Sequence, residues 1–532
     1  VSAAARLTLA AIVLAGAALR FRGLDWGLPW ALHIDERFFV VAKAMELERS
    51  LGQGLPDPGI TSYGILPLWL LVAARKLFLG AAAAPGPPVH GDEFAATVLL
   101  ARWISAAWST VAIVLVAWWA SRWGWTVALT AAALVAGFPA LVQASHFGTV
   151  EAALVALIAA GMLAAERLAE RSTVGRSVAA GAVLGLAVSV KAPGAVLVLP
   201  MLHALGGEER RRLAGRAALL LGTAAAVAVV LNPALVLGGA TTDGGAHTTL
   251  GGNLRRAYSA EFHDWTLPYA HDKPLVTELT KVLPYAVGVL PEILAAAGVV
   301  LAARRRSPRD TRLLLVLVPV LLLLLAARVK TVRFLVPALP AIAVCAALPA
   351  ARWRALATAV GVLALLHGLA FSAVYASPDP RVAAGRWLDE NVGASETVAV
   401  EDPPGYGPPL GSPSPEVKRP ALRYEILWRD FYDLHERRGE EERRIHLDRV
   451  LRRADLLVLS EGHRREFTAA PELRPVESAF YADLDAGRLP FERVRVFETY
   501  PRIGPIVLKD DGAEPLIRFF DHPRIEVWRR KG

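Results

Sequence analysis

Residues 33–36 read His-Ile-Asp-Glu, and they follow closely on the first long apolar run of the chain. Asp35 and Glu36 are therefore an acidic pair at a membrane surface, where carboxylates are costly to desolvate and often mark function. A third acid, Glu151, opens the apolar run after Ser145-His146-Phe147-Gly148-Thr149. A helix N-terminus favours a carboxylate through its dipole, so a capping role competes there with a chemical one. Glu292 falls deeper, inside the apolar run 284–303. Cations accompany these acids: Arg102, Lys191, Arg328, Lys330 and Arg333 all lie in or beside apolar runs. Snorkelling to lipid headgroups accounts for Arg328 and Lys330. Lys191 is followed by Ala-Pro-Gly, where a broken helix turns an ammonium towards a cavity, and Arg333 precedes a double-proline helix start. Cations gathered at one leaflet beside a carboxylate suit a phosphate ligand whose leaving oxygen needs stabilising.

Histidines are spread out, with His33, His146, His247, His263 and His271 expected on the same face as Asp35. None has the spacing of a zinc-binding helix motif. A divalent metal held by Asp35, Glu151 and a histidine is geometrically feasible, but the sequence requires no cofactor. No phosphate-loop motif, no GxSxG elbow and no convincing GxGxxG occurs, which removes the usual support for nucleotide-driven transport and serine hydrolysis.

These residues must be positioned by membrane helices. The chain has 532 residues, 54% hydrophobic, with a mean hydropathy of +0.39, too apolar for a soluble protein of this size. Apolar runs long enough to cross about 30 Å of hydrocarbon fall near 3–20, 95–120, 124–144, 149–166, 177–191, 192–206, 214–236, 284–303, 311–327, 332–350 and 353–375. The first reads as a retained helix, with Arg20, Arg22 and Trp26 as interfacial anchors. The segment 64–80 is assigned by the positive-inside rule. With it lying in the interface, the Arg-rich loops at Arg122, Arg167/Arg171/Arg176, Arg210–Arg212, Arg304–Arg306 and Arg352/Arg354 all fall on the side of Arg6. That leaves two long outer loops, 21–94 and 237–283. The net charge of +9 lies largely in the short loops and does not argue for nucleic acid. Cys345 is the single cysteine, so no disulfide forms within the chain. Only 20 of the 49 acidic residues precede residue 376. The chain is thus expected to divide into a mainly α, eleven-helix membrane body (1–375) and a small outer α/β domain (376–532). In the latter, 381–391 reads as helix and 397–401, 455–459, 492–497 and 524–529 as strands, with a Pro/Gly-rich loop at 403–415.

With these elements placed, the chain resembles the GT-C superfamily of polytopic glycosyltransferases, specifically its protein-mannosyltransferase-like and aminoarabinose-transferase-like branch. The matching stretches are His33-Ile-Asp-Glu36, Tyr63-Gly-Ile-Leu-Pro67-Leu, Ala101-Arg102-Trp-Ile-Ser105-Ala, Ser145-His-Phe-Gly-Thr-Val-Glu151, Gly185-Leu-Ala-Val-Ser-Val-Lys191, Asn232-Pro233 and Arg333-Phe-Leu-Val-Pro337-Ala-Leu-Pro340. The end of the chain, Asp510-Asp-Gly-Ala-Glu514-Pro and Phe520-Asp-His-Pro523, is similar to the outer tail of bacterial members. The resemblance implies inverting transfer of one sugar from a polyprenyl-phosphate donor to an acceptor at the outer face of the cell membrane. It makes Asp35 the base with Glu36 beside it, and it gives Arg102, Lys191 and Arg333 the lipid phosphate. Glu151 joins the acids, although the family commonly has Asp there. His33, Tyr63, His146 and His263 are the candidate sugar or acceptor contacts. The acceptor class (protein, lipid or glycan) is not implied. The rival reading is a non-catalytic polytopic carrier or binding protein for lipid-linked sugars. A transporter is expected to show paired broken helices in repeated halves, and no such symmetry is present.

Overall fold

In hydrocarbon every backbone N–H and C=O needs an internal partner, so long apolar runs have no stable alternative to helix. The structure, a computed structural model, follows that rule throughout the membrane body. It describes residues 2–51, 63–80, 92–206, 209–233, 258, 264–402, 407–410, 424–430 and 439–532. Every apolar run named above falls on helix within that range. Among the described residues, six helices are individually long and apolar enough to cross a membrane: Ala3–Phe21, Asp92–Trp123, Glu151–Glu170, Arg210–Leu231, Val332–Ala350 and Arg354–Asn391. Two more runs are bent pairs, Trp125–Gly137 with Pro139–His146 at 53°, and Pro274–Ala286 with Val289–Arg305 at 118°. Pro139 lacks the N–H that would continue the first ladder. Gly288 makes the second break at φ 92, a conformation that costs glycine little. This break corrects the placement of Glu292, which stands in the first turn of Val289–Arg305 rather than deep in a span. Segment 64–80 forms the helix Leu66–Phe78 of 13 residues, roughly 20 Å long and too short to span.

Charges sort to the two ends of the helix Glu151–Glu170. At its C-terminal end, Arg122 pairs with Glu170 and Arg312 grips Glu166 through Nε (2.9 Å) and Nη2 (2.6 Å). At its N-terminal end sit Glu151, Lys191 and Arg333. Twenty helical residues separate the two groups by roughly 30 Å. Lys330 departs from the snorkelling expectation. It is buried, and its ammonium donates to the carbonyls of Leu324 (2.6 Å) and Leu325 (3.1 Å), closing the end of the helix Pro308–Ala326 where carbonyls lack partners.

The C-terminal region is a five-stranded sheet. Its strands are β1 (Thr397–Asp402), β2 (Glu425–Asp430), β3 (Leu456–Ser460), β4 (Phe491–Phe497) and β7 (Ile525–Arg530), in the order β2-β1-β3-β7-β4. β2, β1 and β3 run parallel, while β7 pairs antiparallel with both β3 and β4. All five residues of β3 are buried, as a strand covered on both faces must be. A separate hairpin joins β5 (Arg502–Ile503) and β6 (Ile506–Val507). The segment between this hairpin and β7 leaves the sheet: Ala513, Ile517, Phe519 and Phe520 pack into the apolar core of the membrane body.

Candidate functional site

Asp35 begins a π-helical turn, Asp35–Val41, that leads into the helix Ala42–Ser50. Such turns widen a helix locally and are common at functional positions. Glu36, the next residue, is fully buried. Its carboxylate accepts Arg102 Nε (2.8 Å), Arg102 Nη2 (2.7 Å) and the Gly148 N–H (2.6 Å). Arg102 Nη1 donates to the carbonyls of Leu24 (2.9 Å) and Trp26 (2.6 Å). This differs from the sequence expectation for both residues. Arg102 is fully engaged in tying the Asp35 turn to the loop ahead of Glu151, and Glu36 is its anchor.

Asp35 faces the other way. Its Oδ2 accepts the Tyr63 hydroxyl (3.0 Å) and pairs with Arg333, while Oδ1 takes no hydrogen bond from any described residue. Arg333 Nη2 donates to the Tyr63 oxygen (2.6 Å) and to Glu151 Oε1 (3.2 Å). Lys191 Nζ donates to the same Glu151 oxygen (2.9 Å), and it stands 5.3 Å from the centre of the Tyr63 ring. Five residues expected from sequence therefore meet in one cluster with two carboxylates and two cations. Side-chain exposure is 13% for Asp35, 15% for Lys191 and 19% for Arg333, against 2% for Arg102. Those three retain access to a ligand. Glu151 Oε2 is buried and has no hydrogen-bond partner.

Local sequence explains each position. The helix Val174–Val190 ends one residue before Lys191, which is extended (φ −164, ψ 140), and Pro193 directs the chain into a short 3-10 helix. Gly64 donates to the Val190 carbonyl (3.0 Å). A Cβ on Gly64 would lie 1.9 Å from the Ser189 oxygen, so only glycine lets the Tyr63 loop lie against this break. Arg333 is the second residue of the helix Val332–Leu335, whose Thr331 cap accepts the Arg333 N–H (3.4 Å).

His33 is buried, stacked on Phe520 (centroids 4.0 Å apart, 17° between planes) and beside Phe147 (4.4 Å). Its Nδ1 accepts the Glu36 N–H (3.3 Å). Burial pushes the imidazole down to about 4, so it is neutral near neutral pH. Burial likewise holds the Tyr63 phenol well above its ordinary range, keeping it a donor. His146 does not face the cluster. Its ring nitrogens meet the carbonyls of Val142 (2.7 Å) and Arg22 (2.9 Å), and the ring stacks on Tyr375. His263 lies outside the described residues. A guanidinium already bridges Asp35 and Glu151. Among the described residues no group of three or more His, Cys, Asp or Glu side chains is arranged to hold a metal ion.

No site role is expected of the C-terminal segment from its residues, yet it forms one wall. Phe520 carries the His33 stack and lies beneath the Arg333 guanidinium (5.8 Å). Glu514 accepts the Val332 N–H (3.0 Å), the Thr331 hydroxyl (3.3 Å) and the Tyr269 hydroxyl (2.8 Å), so it caps the turn that bears Arg333. Asp521 Oδ2 accepts Gln143 Nε2 (2.8 Å) and the Tyr375 hydroxyl (3.0 Å), and burial pushes its carboxyl up to about 7. A cavity of about 30 Å³ lies between this wall and the cluster, lined by His33, Gln143, Phe147, Glu151, Arg333 and Phe520 among others. The polar amide of Gln143 inside an otherwise apolar run was the available signal for this docking.

Acids and cations thus gather at one end of a helical body, with the C-terminal segment forming one wall. ArnT from Cupriavidus metallidurans bound to undecaprenyl phosphate has a similar fold, with a TM-score of 0.51 at 13% identity over 99% of this chain and 98% of that one. A family model described as dolichyl-phosphate-mannose-protein mannosyltransferase matches residues 94–236. Archaeal oligosaccharyltransferase AglB from Archaeoglobus fulgidus, in complex with an inhibitory peptide and a dolichol-phosphate, gives a TM-score of 0.49 at 15% identity, covering 95% of this chain and 75% of that one. The S. cerevisiae protein O-mannosyltransferase Pmt1-Pmt2 complex, bound to the sugar donor, gives 0.37 at 22% identity over 44% and 34%. None of the curated proteins matches the sequence.

Proposed function

We propose that the protein transfers one sugar from a polyprenyl-phosphate donor to an acceptor hydroxyl or amine, with inversion, at the outer face of the cell membrane. The carrying observation is the hydrogen-bonded cluster of Asp35, Tyr63, Glu151, Lys191 and Arg333, in which a base and two phosphate-binding cations are already within reach of one another. An acceptor O–H or N–H is a poor nucleophile near neutral pH, so its proton must pass to a positioned carboxylate. Asp35 takes that proton. The acceptor atom bonds to the anomeric carbon as the bond from that carbon to the phosphate oxygen breaks, and the lipid phosphate leaves as a stable anion. No second carboxyl is needed to protonate it, unlike hydrolysis by two carboxylates. Lys191 and Arg333 stabilise the departing oxygen. The phosphate competes with Asp35 for Arg333, so donor entry loosens the cation from the base. Residues 1–375 are the membrane catalytic unit and 376–532 an outer domain.

The test is purified protein in nanodiscs supplied with polyprenyl-phosphate sugars and an acceptor mixture, with release of polyprenyl phosphate as the readout. Asp35→Asn keeps the side-chain shape and removes the proton acceptor. It is expected to bind donor without turning it over; transfer near the wild-type rate by Asp35→Asn refutes the base assignment and transfers attention to Glu151.

A further inference from the structure

The hairpin between the sheet and the buried tail presents aliphatic side chains where a soluble domain seldom does. β5 and β6 pair in the register Arg502↔Val507 and Ile503↔Ile506, around a Gly504-Pro505 turn in which Gly504 takes φ +56. Ile506, Val507 and Leu508 are 63%, 48% and 39% exposed. Three consecutive open aliphatics at a hairpin tip form a patch that calls for a partner.

The position of the hairpin identifies that partner. β5 packs against the helix Arg354–Ser372, the last spanning helix. The helix leaves Val362, Leu363, Leu366 and Leu369 exposed at helical spacing, a lipid-facing stripe on a membrane helix. The chain beyond the hairpin touches the final turns of that helix: the His522 and Phe371 rings are 6.1 Å apart, and Asp510 is within electrostatic reach of His367. The hairpin therefore lies beside the membrane end of the helix, continuous with surface that faces acyl chains. Arg502 and Lys509 flank the aliphatic residues, the arrangement that places cations among headgroups above an inserted apolar tip.

We propose that residues 502–508 form a membrane anchor of the C-terminal domain. Ile506, Val507 and Leu508 enter the upper acyl region of the leaflet on the Asp35 side, with Arg502 and Lys509 at the headgroup level. Insertion is shallow by necessity. A two-stranded hairpin has outer edges with unpaired N–H and C=O groups, and these are not tolerated in the hydrocarbon centre. The anchor would hold the domain so that the following segment, with Glu514 and Phe520, stays against Arg333. The inference rests on the membrane reading and is independent of sugar transfer.

The experiment uses full-length protein in phosphatidylcholine–phosphatidylglycerol nanodiscs, in a Cys345→Ser background. Val507→Cys is labelled with the environment-sensitive fluorophore NBD. Arg444→Cys, on the helix Glu440–Arg453 that packs on the sheet, is the reference. We expect the label at 507 to be quenched at least threefold more by lipids carrying a nitroxide at acyl carbon 5 than at carbon 12, and to resist aqueous iodide. The label at 444 should show the reverse sensitivity. Because the label itself is apolar, a second measurement uses Ile506→Asp with an NBD probe at Leu508→Cys: the aspartate should restore iodide quenching there by several fold. Equal iodide access at 507 and 444, or lipid quenching that the aspartate leaves unchanged, overturns the proposal. So does protection of 507 from lipid and iodide alike, accompanied by cross-linking of two copies, which would assign the patch to self-association.

Discussion

Substituting Glu36 by Gln separates two carboxylates that are adjacent in sequence but opposed in role. The Glu36 carboxylate is fully buried and accepts three N–H groups, two from Arg102 and one from Gly148. A glutamine retains one acceptor oxygen and sets its NH2 against another donor. Arg102, itself buried, is left with an uncompensated charge. Breaking one side of a buried ion pair costs about 3–5 kcal/mol, roughly a hundredfold to several thousandfold in the unfolding equilibrium. Purified variants in mixed micelles, titrated with SDS and followed by near-ultraviolet circular dichroism, measure this directly. We expect Glu36→Gln to unfold at distinctly lower SDS, while Asp35→Asn unfolds close to the wild type and lacks turnover. The double variant Glu36→Leu/Arg102→Met removes both charges and should regain much of the lost stability. If Glu36→Gln is as stable as the wild type yet inactive, Glu36 acts in the chemistry and its assignment as an anchor is wrong.

Lys191→Ala and Arg333→Ala should each weaken binding of polyprenyl phosphate by about tenfold to a hundredfold, the loss of one charge-assisted hydrogen bond at ~1.5–3 kcal/mol; equilibrium binding in nanodiscs checks this, and unchanged affinity in both would refute it. Glu514→Gln weakens the cap on the turn bearing Arg333, so the donor KM should rise several fold while thermal stability falls by about 1 kcal/mol, with Glu514→Asp restoring part of the KM. The raised Asp521 carboxyl gives a pH dependence of known sign: its folded value, about 7, lies above the ordinary Asp value of 3.8, so its stabilisation is complete below about 4 and lost as pH rises through about 7. Thermal unfolding of wild type and Asp521→Asn between about pH 4 and about pH 8 should converge at the acid end and favour the variant at the alkaline end. Single-cysteine probes in 304–309 should react only from the cytoplasm and a probe at Arg444 only from outside; cytoplasmic labelling of Arg444 would invert the topology.

Much of the architecture was legible because its causes are local. Apolar length dictates helix in hydrocarbon, and the break at Lys191-Ala192-Pro193 and four of the five strands of the C-terminal sheet are set by chain chemistry within a few residues, while β2 was not expected. Asp35, Glu151, Lys191 and Arg333 could be nominated individually, since an ionisable group beside a membrane span needs a reason, whereas Tyr63 entered only with the family resemblance. What remained hidden was partnership. Nothing in the adjacent letters Asp35 and Glu36 says that one faces Arg333 and the other is locked to Arg102, because both arginines come from helices remote in the chain. Lys330 and His146 read as interfacial or substrate-facing residues until packing supplied them with backbone carbonyls. Phe520 and Glu514 lie nearly 500 residues from His33 along the chain, and only the return of the tail to the membrane body puts them in the site. Residue type and spacing determine which groups are expensive to bury. The tertiary fold decides which of them are neutralised by one another and which remain open to a ligand, since that depends on distances of a few ångströms between segments remote in sequence.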